Sequence, residues 1–306
     1  MKFFLSILLL TIAIVPCQAQ KVKPALNLTK GNTYYSISDL NTSIAQTMNG
    51  QQVTYTIGMS TKTAYKVLDI KDTVYNLEVT YKNIGMKMQA PGAGNIEYNS
   101  GNKDAKDVAS QILYAMVDKP FLITLSKSGK VIAVQNVEKM MQAVFKSVTL
   151  ADTVQLQQFK NQFMQSFGEK AFKSNLEETF AIYPSIKVAK GDKWTVGTKL
   201  QSVMEANVYA TYELIDITPD SYLIHGEAKV TSASSSTTQM SGMPVKYNLS
   251  GTTFSEIKAD KTTGWITESK QKEDLSGDIS ILDNPKLPGG MQMPMTIHAN
   301  IITTDQ

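Results

Sequence analysis

Leu28-Thr29-Lys30-Gly31-Asn32-Thr33-Tyr34 opens a pattern that returns as Val188-Ala189-Lys190-Gly191-Asp192-Lys193-Trp194. Each copy sets Lys-Gly-Asn/Asp ahead of an aromatic, a turn signal running into a strand. Further on, Tyr65-Lys66-Val67-Leu68-Asp69-Ile70 with Tyr75 is matched by Tyr212-Glu213-Leu214-Ile215-Asp216-Ile217 with Tyr222. Ser128-Gly129-Lys130-Val131-Ile132 then faces Thr263-Gly264-Trp265-Ile266. The offsets shrink from 160 through 147 to 135, so the second copy has shorter loops. Three matches in one order describe two related units, at about 26–134 and 186–270.

Within the units the apolar residues alternate. Val53, Tyr55, Ile57 and Met59 take one parity, as do Tyr75, Leu77, Val79 and Tyr81. Val245, Tyr247 and Leu249 repeat it, followed by Met295, Ile297, Ala299 and Ile301. A period of two means one wet face and one apolar face, which antiparallel sheets tolerate and parallel sheets rarely do.

Two stretches break that period. Ala105, Val108, Ile112 and Met116 recur at helical spacing before Pro120. The insert at 136–182 carries Val137, Met140, Met141, Val144 and Phe145, then Leu156, Phe159, Phe163, Phe167, Phe172, Leu176 and Phe180. Asp152 with Gln155 reads as a helix start, and Gly168 interrupts or closes the run. Six phenylalanines left in water would each forfeit about 2 kcal/mol. The nearest apolar surface is the inner face of a sheet. The expected fold is therefore mainly β (α+β): a curved antiparallel sheet or half-barrel built from both units, with the helices packed on its concave face.

The first residues are of another kind. Lys2 precedes an apolar run from Phe3 to Val15, and Cys17-Gln18-Ala19 offers a small-residue cleavage site. The run is shorter than the roughly 20 residues that span a bilayer. Residues 1–19 are read as a signal peptide and 20–306 as a single β-rich domain without a transmembrane segment, exported to the periplasm or beyond. Lipid anchoring at Cys17 is the less favoured alternative, because Pro16 stands where such signals carry Gly, Ala or Ser. Cys17 is the one cysteine of the chain, so the mature protein has neither disulfides nor thiol chemistry. A formal charge of +3, spread as isolated lysines, argues against a nucleic-acid partner.

Nucleophile-elbow, phosphate-loop and His-Glu-x-x-His motifs are missing. The two histidines, His225 and His298, fall on the polar parity of their strands and read as solvent-facing. Fifteen methionines include Met291-Gln292-Met293-Pro294-Met295. Thioethers suit Cu(I) in an oxidising compartment, but shape-adaptive apolar packing is the favoured reading, and no cofactor is called for.

The leader ending in Gln-Ala-Gln, the opening Leu26 to Tyr34, the Leu125-Ser126-Lys127-Ser128-Gly129-Lys130-Val131 hairpin and the second Lys190-Gly191-Asp192-Lys193-Trp194 together resemble a family of exported Bacteroidota proteins carrying a domain of unknown function. That resemblance covers nearly the whole mature chain and brings no catalytic residues with it. The architecture is also similar to periplasmic lipoprotein carriers, whose curved sheets hold helices over an apolar cavity, although those carriers are shorter and hold a single unit.

The expected function is non-enzymatic: an apolar ligand, such as an acyl chain or lipoprotein tail, held between sheet and helices, with Met140, Met141, Phe159, Phe163 and Phe167 lining or capping the site. The alternative is an interaction module that docks on another envelope protein through its sheet. A hydrolase assembled from scattered Ser, Asp and His225 or His298 comes third.

Overall fold

The computed structural model describes residues 21–305, apart from 49, 93, 104–106, 149–159, 161–162, 165–166, 234–235 and 241. The expected signal peptide at 1–19, Cys17, Phe159 and the expected helix start at Asp152 lie outside these residues.

Among the described residues one antiparallel sheet takes up thirteen strands. The first wing is β1 (Thr33–Met48), β2 (Gln51–Lys71), β3 (Val74–Ala90), the short β4 (Gly94–Asn99), β5 (Phe121–Ser126) and β6 (Val131–Gln135). The second is β7 (Lys193–Gln201), β8 (Glu205–Ile217), β9 (Ser221–Ser232), the short β10 (Thr238–Met240), β11 (Met243–Asp260), β12 (Ile266–Ile281) and β13 (Met291–Thr304). The spatial order β6-β5-β3-β2-β1-β13-β12-β11-β9-β8-β7 shows how the wings join: the first grows outward from β1, and the second starts at the far edge and grows inward until β13 pairs β1 from Ile37↔Thr304 to Gln46↔Met295. The open curved sheet and its antiparallel pairing are as the alternation implies.

Between the wings lie α1 (Val108–Met116), α2 (Val137–Lys146) and α3 (Glu169–Phe180). Asp107 caps α1, its carboxylate accepting the Ser110 N–H at 2.7 Å, and the helix ends before Pro120. Gly168 is the N-cap of α3. This helix packs on both terminal strands, β6 and β7, so the sheet is curled and α3 fills the seam between edges that do not pair. Register shifts at Val67/Asp69, Leu214/Asp216 and Lys258/Ala259 supply local bends.

The two Lys-Gly turns are held alike. Gly31 N–H donates to Val67 O at 2.9 Å and Gly191 N–H to Leu214 O at 2.7 Å, each beside the register shift of the neighbouring strand. Lys30 pairs with Asp69 at 3.0 Å and Lys190 with Asp216 at 2.9 Å. These exposed pairs are worth little energetically, so their recurrence reports equivalent geometry.

One core runs through both wings. Tyr65, Leu77, Phe121, Ile123 and Leu125 from the first meet Trp194, Leu214, Ile224 and Trp265 from the second, with Met116, Met141, Phe172 and Phe180 from the helices. Its aromatic spine passes Tyr34–Trp265 (5.1 Å between centroids), Trp265–Phe180 (5.3 Å) and Phe180–Tyr65 (5.5 Å). A smaller cluster at the other end of the sheet buries Val245, Leu249, Ile279, Met293 and Met295, with Met204, Met240 and Met291 against it. The methionine-rich stretches thus fill apolar space.

Two hairpin glycines set how closely the ends pack. Gly129 and Gly264 have φ of +85° and +67°; a Cβ on the first would fall 1.6 Å from Phe180 O, and on the second 2.1 Å from Ala25 O. Backbone oxygens cannot rotate away as a side chain does. Gly129→Ala and Gly264→Ala should each destabilise the fold by more than about 2 kcal/mol, whereas Gly31→Ala, at a positive φ but in open space, should cost only about 1 kcal/mol. Urea unfolding of the three variants measures the difference.

Candidate functional site

The helices present two distinct environments. The first is a pocket of about 370 Å³ on the helical side, lined by Met141, Phe145 and Met164, with Glu138, Gln142, Lys146 and Lys160 around it. Met141 and Phe145 share one face of α2 because they stand four residues apart. Phe145 meets Phe163 edge-on at 5.8 Å, Phe163 stacks on Phe167 at 4.4 Å, and the series continues through Phe172 to Phe121 and Tyr81. The Lys160 ammonium lies over the Phe145 ring, 5.4 Å from its centroid.

Of the residues expected to form a site, Met141 lines this pocket, and Phe163 and Phe167 stand behind it half-buried. Met140 is core, 5% exposed, and is not part of the lining. Phe145 and Met164 were missed as site residues: Phe145 reads simply as the last apolar position of α2, and Met164 follows a phenylalanine off the expected stripe.

The second environment lies beneath α3, on the inner face of the sheet. Small residues, Ala210 and Ala228 beside Thr253 and Ser255, leave a cavity of about 80 Å³. Glu178 of α3 and Glu273 of β12 both face it, along with Glu177 and Tyr212; no lysine or histidine lines it. Burial, reinforced by the Glu273 charge, pushes the Glu178 carboxyl up to about 7. Burial also raises Glu273, opposed by a hydrogen bond from Thr253 Oγ1 at 3.3 Å. Sequence reasoning passes over this pair, since a glutamate in an amphipathic helix reads as a wet-face residue.

On the outer face, His298 hydrogen-bonds Asp274 through Nδ1, with Ser43 abreast of it on β1. Among the described residues Ser43 Oγ donates to no imidazole, and β1 and β13 are each paired on both sides, so their N–H groups are committed to the ladder. His225 is half-buried between Glu213 and Glu256 on neighbouring strands.

The Glu178 carboxyl generates a stability prediction. A carboxyl raised in the folded state binds more protons folded than unfolded, so stability falls as pH rises from its unfolded value near 4.5 through about 7 and is level above that. Glu178→Gln removes this fall: thermal unfolding should show the variant near the parent at pH 4.5 and more stable at pH 8 by about 2 kcal/mol, a figure discounted for the partial exposure of the group.

Among the described residues no helix is long and apolar enough to cross a membrane. No curated protein matches the chain. Among solved structures it is similar to lipovitellin, in a structure concerned with lipid–protein interactions, with a TM-score of 0.50 and 8% identity over 92% of this chain. It spans 25% of the lipovitellin chain, so the likeness is one of fold. An outer membrane channel from Pseudomonas putida F1 aligns with 90% of this chain and 97% of its own at 6% identity; its TM-score of 0.26 carries no argument. Residues 72–266, from the β2–β3 turn to the start of β12, match the model of a family of unknown function, and the chain belongs to that family, DUF6263.

Proposed function

We propose that this is an exported, non-enzymatic protein that holds an apolar ligand, a lipid or acyl chain, where the helices meet the curved sheet. The observation that carries the reading is the pocket of Met141, Phe145 and Met164, whose floor continues into the stacked Phe163 and Phe167. Thioether and aromatic side chains adapt to flexible hydrocarbon, and about 370 Å³ lies within the range of small-molecule sites. Lys146 and Lys160 beside the pocket suit a ligand with an anionic end. The fold shared with lipovitellin, whose structure concerns lipid–protein interactions, is in keeping with this reading. Lys2 followed by the apolar run Phe3 to Val15 is in keeping with export.

Docking on an envelope partner through the sheet draws less support. The terminal strands β6 and β7 both lie against α3, and exposed Phe254 stands between Glu227 and Lys272 on neighbouring strands.

Fluorescence titration of the delipidated mature chain with a dansyl-labelled fatty acid should show saturable enhancement. Met164→Glu with Lys160→Glu should weaken it about tenfold, a loss of about 1.4 kcal/mol, at unchanged thermal stability. No enhancement, together with a ligand-free native mass spectrum of protein purified from its own compartment, would sink the reading.

A further inference from the structure

The outer face of the first wing holds a concavity of about 500 Å³. Strand register lays two rows of side chains across it. One runs Asn300, Asn41, Gly58, Lys87, Glu97 over β13, β1, β2, β3 and β4. The adjacent row runs His298, Ser43, Thr56, Gln89, Asn95 over the same strands.

The chemistry of these rows differs from that of the ion pairs elsewhere on the outer face, such as Lys193–Glu213 (3.1 Å). Here charged groups are confined to the two ends, where Lys87 pairs with Glu97 at 3.6 Å and Asp274 hydrogen-bonds His298. Everything between is amide, hydroxyl or glycine. Among the described residues the amides of Asn41, Asn300 and Gln89 make no hydrogen bond to the protein, and each offers both donors and an acceptor to a ligand. At Gly58 the peptide backbone is bare; a Cβ there would stand 3.5 Å from Asn41 Oδ1 and 3.8 Å from Lys87 Cβ, in the space between the rows.

We propose that this groove binds a neutral oligosaccharide, with Asn41, Asn300 and Gln89 reading hydroxyl groups and the bare Gly58 backbone seating a sugar ring. A hydroxyl both donates and accepts, and a side-chain amide answers both roles. Paired end charges leave no net positive field for a phosphate backbone. A peptide strand cannot add along the floor of the groove, since β13, β1 and β2 are paired on both sides. The groove shares no lining residue with the pocket of Met141 and Phe145 and stands or falls independently of the apolar-ligand reading.

Saturation-transfer NMR of the mature chain, with a panel of neutral hexasaccharides of glucose, mannose and N-acetylglucosamine, tests this. At least one saccharide should give a saturable signal, weakened about tenfold or more by Gly58→Trp, which fills the groove, and by the Asn41→Ala/Asn300→Ala pair, which keeps its shape. Fatty-acid fluorescence should be unchanged in both variants. Silence across the whole panel, binding that survives the two variants, or binding only of a Gly-Ser decapeptide run alongside would overturn the proposal.

Discussion

The seam governs this structure. A sheet whose strands β6 and β7 do not hydrogen-bond to each other would expose two edges and an apolar inner face, and α3 meets both needs by packing on the two edges at once. Its Phe172, Leu176 and Phe180 turn inward onto Phe121, Tyr81 and Tyr65, so the element that covers the edges also fills the core. The neighbouring segments tie the same region down: Trp194 Nε1 donates to Ile182 O at 2.8 Å, and Tyr183 hydroxyl donates to Gly264 O. Removing the helix would therefore cost the enclosure as well as its own burial.

The order of the strands explains why the insert must be long. The first wing ends at β6 and the second begins at β7, the opposite edge, so the chain has to travel from one margin of the sheet to the other before pairing resumes. Residues 136–192 make that passage. A hairpin could not, since it returns to the strand beside it. Closure of the second wing against β1 then brings the last strand onto the first, and the N-terminal segment crosses the same end, Leu26 N–H donating to Lys127 O and Asn27 N–H to Thr263 O. Both hairpin glycines, one from each wing, sit at that crossing.

Much of this was legible in the residues. Alternation in β2, β3, β11 and β13 marks the inner face, and the phenylalanine spacing around Gly168 announces helices that require a sheet to bury against. The turns at Lys30-Gly31 and Lys190-Gly191 recur because each satisfies the strand beside it through the same two backbone hydrogen bonds. What stayed hidden depends on distance in space. Glu178 and Glu273 are 95 residues apart and come together only because β12 lies under α3. The outer groove likewise joins Asn41 to Asn300 through the one strand pair, β1 with β13, that links the ends of the described chain. A periodicity names the face a residue occupies but not its neighbour across the ladder.

The two faces of the sheet thus impose opposite rules on the same residue types. Outside, Glu213 and Glu268 remain solvated beside lysines, and their charges cost little. Inside, Glu178 faces another carboxyl with no lysine or histidine in the cavity wall, so each proton lost works against its neighbour. Filling that space with alanine and leucine would be the simpler way to stabilise a seam. Retaining two carboxyls beneath the one helix that closes it ties the firmness of the closure to protonation, and the helix face carrying Glu178 is the side of α3 turned toward the sheet. On the helical side the aromatic ladder from Phe145 to Tyr81 carries the packing without buried carboxyls.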